Sequence, residues 1–164
     1  MATPTTLPAT FVAGDVLTAA QMNDLRGAFR VLQVVSANTA TGSGTTTSSG
    51  SFVATGLTAT ITPTSASSKI LIMFSQGNRK TNANAGTEAQ SRIYRGASAI
   101  TNTISTCYTN STLELRVMAS YSYLDSPATT SATTYTIYGN NGGAGTASFD
   151  FFCSGSITLM EISA

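Results

Sequence analysis

The chain has 164 residues, with 8 Lys and Arg against 7 Asp and Glu, no His, no Trp and 9% charged residues. Its 29 Thr and 21 Ser argue against a helical architecture, because Thr loses rotamer freedom in a helix and Ser competes with the helical backbone for hydrogen bonds, whereas Thr suits a pleated surface. A net charge of +1 excludes a broad electrostatic footprint for nucleic acid or acidic lipid, and 41% apolar residues suffice for one core.

Residues 1–8 form a polar, Pro-containing tail without a pattern of its own. Met1 to Val12 lacks the charged and apolar stretches of a signal peptide, and the longest apolar run, Ile70 to Phe74, is five residues, so neither a leader nor membrane insertion is expected. Thr18-Ala19-Ala20-Gln21 has the capping-box pattern, and Met22, Leu25 and Phe29 follow at helical spacing. They predict a short amphipathic helix ending at Phe29. A helix this short is marginal alone, so its apolar face must bury against the main domain or another chain. The expected division is residues 1–29 as arm and helix and 30–164 as β-domain.

Val31 to Val35 reads as a first strand, leading into a Ser/Thr/Gly stretch, Asn38 to Ser51, that is a loop or weak edge hairpin. Leu57 to Thr62 alternates apolar and hydroxyl side chains up to Pro63. Ile70 to Phe74 is apolar at both parities, as expected of a strand buried on both faces or one whose outer face meets another subunit. Asn78 to Gln90 reads as a polar tip loop. Gly96-Ala97 has the spacing of a type II′ hairpin between Gln90–Arg95 and Ser98–Thr103. Leu113, Leu115, Val117, Ala119, Tyr121 and Tyr123 share one parity in the longest alternation of the chain. Strands are also expected over Thr133 to Tyr138, Ser148 to Cys153 and Ile157 to Ile162, with Asn140 to Gly145 as a turn. Many short strands with turn signals and no intervening helices predict an all-β fold, an antiparallel β-sandwich of jelly-roll type.

The inventory of reactive groups is thin. Without His, general acid–base work would fall to perturbed carboxylates, and the seven carboxylates are scattered. They are expected to be solvated or turn-forming, with Asp125 before Ser126-Pro127 as an Asx-type turn residue. The serines lack a base, since Lys69 and Lys80 sit at a strand start and in a loop. Cys107 and Cys153, without His, make neither a zinc site nor a redox Cys-x-x-Cys pair and are expected to be free or half-buried thiols, with one disulfide between them as the alternative. No catalytic residue, metal or cofactor is expected. The aromatic residues read as core or intersubunit packing ahead of sugar stacking; the intersubunit candidates are Ile70, Ile72, Phe74, Phe149, Phe151 and Phe152.

The stretch Gly14-Asp15-Val16-Leu17-Thr18-Ala19-Ala20-Gln21-Met22-Asn23 resembles the Gly-Asp-x-Leu-Thr-Ala-x-x-x-Asn element of bacteriophage tail-fibre and virion-appendage proteins. Ser51 to Leu57, Ile61-Thr62-Pro63, Ser68 to Leu71, Tyr123 to Pro127 with Tyr135, and Ile157 to Ile162 are similar to segments of small β-rich phage proteins. The resemblance implies a phage structural protein, trimeric, whose N-terminal element joins the particle and whose β-domain faces outward. The chain has no coiled-coil or collagen-like shaft, so a long free-standing fibre is not expected. The residues agree independently: Gly14-Asp15 can form a tight turn, Thr18 caps the helix, and Phe11, Val16 and Leu17 offer an apolar ledge. With Met22 and Asn23 they are the candidate attachment residues, unless they pad the domain's own core. Arg79, Lys80, Asn82 and Asn84 are the candidate host-contact loop. The leading expectation is a non-enzymatic short tail appendage in the virion, partnered with itself and other virion proteins and, through its loops, with a host surface glycan. The alternatives are a capsid decoration protein and a carbohydrate-binding module.

Overall fold

The computed structural model describes residues 31–42, 44–81, 87–110, 112–150 and 152–163, together with Gly14, Val16, Thr18 and Ala19. Residues 20–30, which carry most of the expected helix, lie outside this set. The described residues form eleven strands, all antiparallel: β1 (Val31–Asn38), β2 (Thr46–Thr47), β3 (Val53–Ile61), β4 (Lys69–Thr81), β5 (Thr87–Arg95), β6 (Ser98–Ala99), β7 (Ile104–Thr109), β8 (Leu115–Asp125), β9 (Thr133–Gly142), β10 (Thr146–Phe149) and β11 (Ser156–Ile162). One sheet runs β1-β11-β4-β8, with β10 continuing β11 along β4 and β2 outside β10; the other runs β3-β9-β5, with β6 and β7 both on the far edge of β5.

Three pairs, β1 with β2, β6 with β7 and β10 with β11, each occupy one position in their sheet. Counting each pair as one interrupted strand leaves eight, in the orders 1-8-3-6 and 2-7-4-5. This is the strand order of a jelly roll, two interlocked Greek keys, as the alternation of the sequence predicts. The main core lies between the sheets, with Leu57, Ile61, Ile70, Ile72, Phe74, Ile93, Tyr135, Ile137, Ile157 and Leu159 buried in one cluster. A smaller cluster of Ala89, Cys107, Ala147 and Phe149 sits at the other end. Inward-facing Gln76, Asn78 and Ser91, all fully buried, separate the two.

Several expectations need correction. Strand β4 does not stop at Phe74 but continues through Thr81, so Arg79 and Lys80 are strand residues. Hydrogen bonds to β8 and β10 hold this polar half in place. Lys80 is completely buried, its ammonium donating to the Ala144 carbonyl, and burial lowers its pKa, against an opposing pull from Cys107. Ile70, Ile72, Phe74 and Phe149 point into their own chain's core, so they are not the side chains that meet another subunit. The Gly96 hairpin forms with φ +57 at Gly96, but its second strand is the two-residue β6. Asp125 is no solvated turn residue: it ends β8 buried, accepting hydrogen bonds from Arg95 Nη1 and Tyr135 OH. Asp150 and Glu161 are also fully buried.

Glu161 closes one end of the sandwich. Its Oε2 accepts from Gln33 Nε2 at 2.6 Å, and its Oε1 accepts from the Thr64 N–H and hydroxyl at 2.7 and 2.8 Å, tying β1 and the 62–68 turn to β11. Burial alone would raise its pKa, but the hydrogen bonds from Gln33 and Thr64 outweigh it and hold the carboxyl down at about 2. A depressed carboxylate pKa stabilises the fold fully above the unfolded value and loses that contribution as pH falls through the folded value. Urea titrations are therefore expected to show the gap between wild type and Glu161→Gln shrinking from about pH 4.5 towards pH 2. Asp150, raised by burial, acts in the opposite direction but is common to both proteins. A gap independent of pH would remove this role for the carboxylate.

Candidate functional site

The outer face of the β1-β11-β4-β8 sheet is mostly hydroxyl in its middle rows. In successive cross-strand rows it presents Ser36, Thr158, Met73 and Ser122, then Asn38, Ser156, Ser75 and Ser120. The row before these is different. Val34 pairs with Met160, Met160 with Leu71 and Leu71 with Leu124, so one apolar row crosses all four strands on the outside of the sandwich. Leu32 and Ile162 flank it on one side and Met73 on the other. Val34 and Leu124, at its two ends, are 55% and 47% exposed. At the usual strand spacing the row is about 14 Å long, and a contiguous exposed apolar band marks an interaction surface.

The band lies at the end of the sheet where the chain enters β1, with Val31 opposite Ile162. Val31, the first residue of β1, is therefore at the border of the apolar row. Of the attachment candidates, Gly14 has φ +105, a conformation that favours glycine, and Val16 is 88% exposed. Thr18 is described as well, whereas Phe11, Asp15, Leu17, Met22 and Asn23 lie outside the described residues.

The same face carries a second feature at its far end. Strands β10 and β11 run end to end along β4, Phe149 opposite Asn78 and Ser156 opposite Ser75. Residues 150–155 thus make an excursion over Gln76 and Gly77. It is anchored by Asp150, whose N–H donates to the Gly77 carbonyl at 2.8 Å and whose φ is +57. A Cβ on Gly77 would lie 2.3 Å from Cys153 Sγ and 3.2 Å from the Phe152 ring, so Gly77 is required for this close approach. Phe152 lies under Arg116, the guanidinium 5.9 Å from the ring centroid. Of the intersubunit candidates, Phe152 is the one the structure leaves on the outer face; Phe151 lies outside the described residues.

The host-contact candidates are not brought together. Arg79 pairs with Glu114 at 3.5 Å and reaches Ser148, Lys80 is buried, and Asn82 and Asn84 lie outside the described residues. Both Cys107 and Cys153 are free thiols. Among the described residues, no cluster of three or more His, Cys, Asp or Glu side chains could hold a metal ion, and no helix is long and apolar enough to cross a membrane.

Sequence reasoning missed the residues that matter most on this surface, Val34, Leu71, Leu124 and Met160. No pattern within one strand singles any of them out; the register of four strands makes them a row.

No protein-family model matches the chain, and no curated protein matches it. Among solved structures, it is similar to a chain in the structure of infectious bursal disease virus, Gx strain, with a TM-score of 0.42 and 10% sequence identity. The match covers 80% of this chain and 38% of that one, so this chain spans well under half the length of its counterpart.

Proposed function

We propose that the protein is a non-enzymatic structural component of a phage virion, a short tail appendage. In this reading its N-terminal segment, near residues 11–29, joins the particle, and copies of the β-domain associate as a homotrimer through the outer apolar row. The observation that carries the reading is the row Val34–Met160–Leu71–Leu124, apolar across all four strands on the outside of the sheet and exposed at both ends. Symmetric assemblies bury such bands between copies. The resemblance of Gly14 to Asn23 to virion-appendage proteins supplies the kind of assembly, and the row lies beside Val31, where β1 begins.

Light scattering of the full chain is expected to give a trimer, and the double variant Leu71→Lys with Leu124→Lys a folded monomer. A stable wild-type monomer would overturn the trimer. Deleting residues 1–29 is expected to leave the β-domain folded and to abolish incorporation into particles. Labelling that finds the protein on the head alone would replace the tail appendage with a capsid decoration protein.

A further inference from the structure

The opposite edge of the sandwich holds a cleft of about 530 Å³ lined by residues 99–104, Tyr121 and Tyr123. This volume falls within the range of small-ligand sites. Its floor belongs to the main core, against which Ile100, Ile104 and Tyr123 pack. One wall is Tyr121, 40% exposed on β8 and two residues from Tyr123, so both rings stand on the same face of one strand. The other wall is the segment between β6 and β7, which β5 holds at three points. The Ile100 N–H donates to the Ile93 carbonyl at 2.9 Å, the Thr101 hydroxyl accepts from the Ile93 N–H at 3.0 Å, and the Thr103 hydroxyl accepts from Arg92 Nε and Nη2 at 3.0 and 2.6 Å.

Between the two pinned threonines, Asn102 is exposed and its amide makes no hydrogen bond within the described residues. The Tyr121 and Tyr123 hydroxyls make none either. The cleft therefore combines a rigid wall, two aromatic rings, a free amide and two free hydroxyls. None of the residues lining it is charged.

We infer that this cleft is a binding site for a neutral saccharide. A pyranose presents an apolar C–H face to an aromatic ring and a rim of hydroxyls that both donate and accept. Tyr121 takes the first role and the Asn102 amide, as donor and acceptor, the second. No basic side chain lines the cleft, so it offers no cation to the carboxylate of a sialic or uronic acid. The wall is held by β5 in advance, so little ordering is left to oppose binding. This inference rests on the fold and the cleft alone and does not need the virion reading.

The test is isothermal calorimetry on the purified full chain. The probes are the methyl glycosides of glucose, galactose, mannose and N-acetylglucosamine, the trisaccharides maltotriose and tri-N-acetylchitotriose, and sialyllactose as the acidic control. Binding of at least one neutral probe is expected at roughly millimolar Kd, weakened about tenfold or more by Tyr121→Ala and by Asn102→Ala. Tyr108→Ala, an exposed tyrosine outside the cleft, is expected to bind as wild type. Thermal melts identify any variant that fails to fold; Asn102→Ala, which removes no hydrogen bond, carries the test if Tyr121→Ala does so. Absence of binding by every neutral probe, preference for sialyllactose, or wild-type affinity in the folded cleft variants would each overturn the site. All these outcomes are read on the isolated protein and leave the particle-incorporation result unaffected.

Discussion

Replacing Phe149 with alanine is expected to lower the unfolding free energy by about 3–5 kcal/mol, the range for a large aromatic removed from a packed core. Phe149 is the largest residue of the smaller cluster, completely buried where β10 meets β4. Its ring lies against Gly139 of β9 in the opposite sheet, so closely that a Cβ there would sit 2.3–2.6 Å from three ring atoms. The glycine is thus the socket for the ring, and the contact holds the two sheets together beyond the reach of the main core. Gly139→Ala is expected to cost about 1–3 kcal/mol by overpacking. Combining Gly139→Ala with Phe149→Leu should cost less than the sum of the two single changes, because the smaller side chain makes room for the new methyl. Urea denaturation of the four proteins measures this, and strict additivity would show that the ring and the glycine do not constrain one another.

The second large effect is expected at Asp125. Arg95 Nη1 donates to both of its oxygens at 3.0 and 2.8 Å, and the Tyr135 hydroxyl donates to Oδ2 at 2.7 Å, so one carboxylate joins the end of β8 to two strands of the other sheet. Tyr135 is fully buried, and burial together with the neighbouring carboxylate pushes its hydroxyl pKa well up. Asp125→Ala leaves that hydroxyl without its partner and removes the Arg95 ion pair. A loss of about 3 kcal/mol is expected, at the low end for a broken buried pair, because Arg95 is about one-third exposed. Tyr135→Phe removes the hydroxyl while leaving the ion pair intact, and is expected to cost only about 1 kcal/mol. Equal losses in the two variants would mean that Arg95 adds nothing.

How much of this was legible in the sequence depended on whether burial follows hydrophobicity. Leu57 to Ile61 and Leu115 to Tyr123 alternate in the open, and their strands and inward faces follow directly. The second half of β4 does not, because its inward positions, Gln76, Asn78 and Lys80, are polar side chains whose N–H groups donate to partners distant in sequence, Thr55, Asp150, Thr106 and Ala144. A polar residue buried through such partners looks the same in sequence as one in a loop, which is why Asn78 and Lys80 read as loop and Asp125 as turn. The excursion at residues 150–155 was hidden for a related reason: Ser148 to Cys153 reads as one continuous strand, and only the pairing of Phe149 with Asn78 and Ser156 with Ser75 shows that the chain leaves the sheet and returns. The apolar row and the tyrosine cleft depend on residues from separate strands and loops, and no local pattern carries either.

The strand order has a consequence for how the chain must be made. Strand β11 is hydrogen-bonded between β1 and β4, and β9 between β3 and β5, so in each sheet strands synthesised early are joined through one synthesised late. Before residues 156–162 leave the ribosome, β1 has no neighbour in its sheet, and Ile70, Ile72 and Phe74 have no Ile157 and Leu159 to pack against. Such non-local pairing is slow and exposes unpaired edges while it waits. From the synthesis of β4 to that of β11 the most apolar strand thus waits with one edge unpaired, the state in which a strand is most exposed to pairing with other copies of the chain.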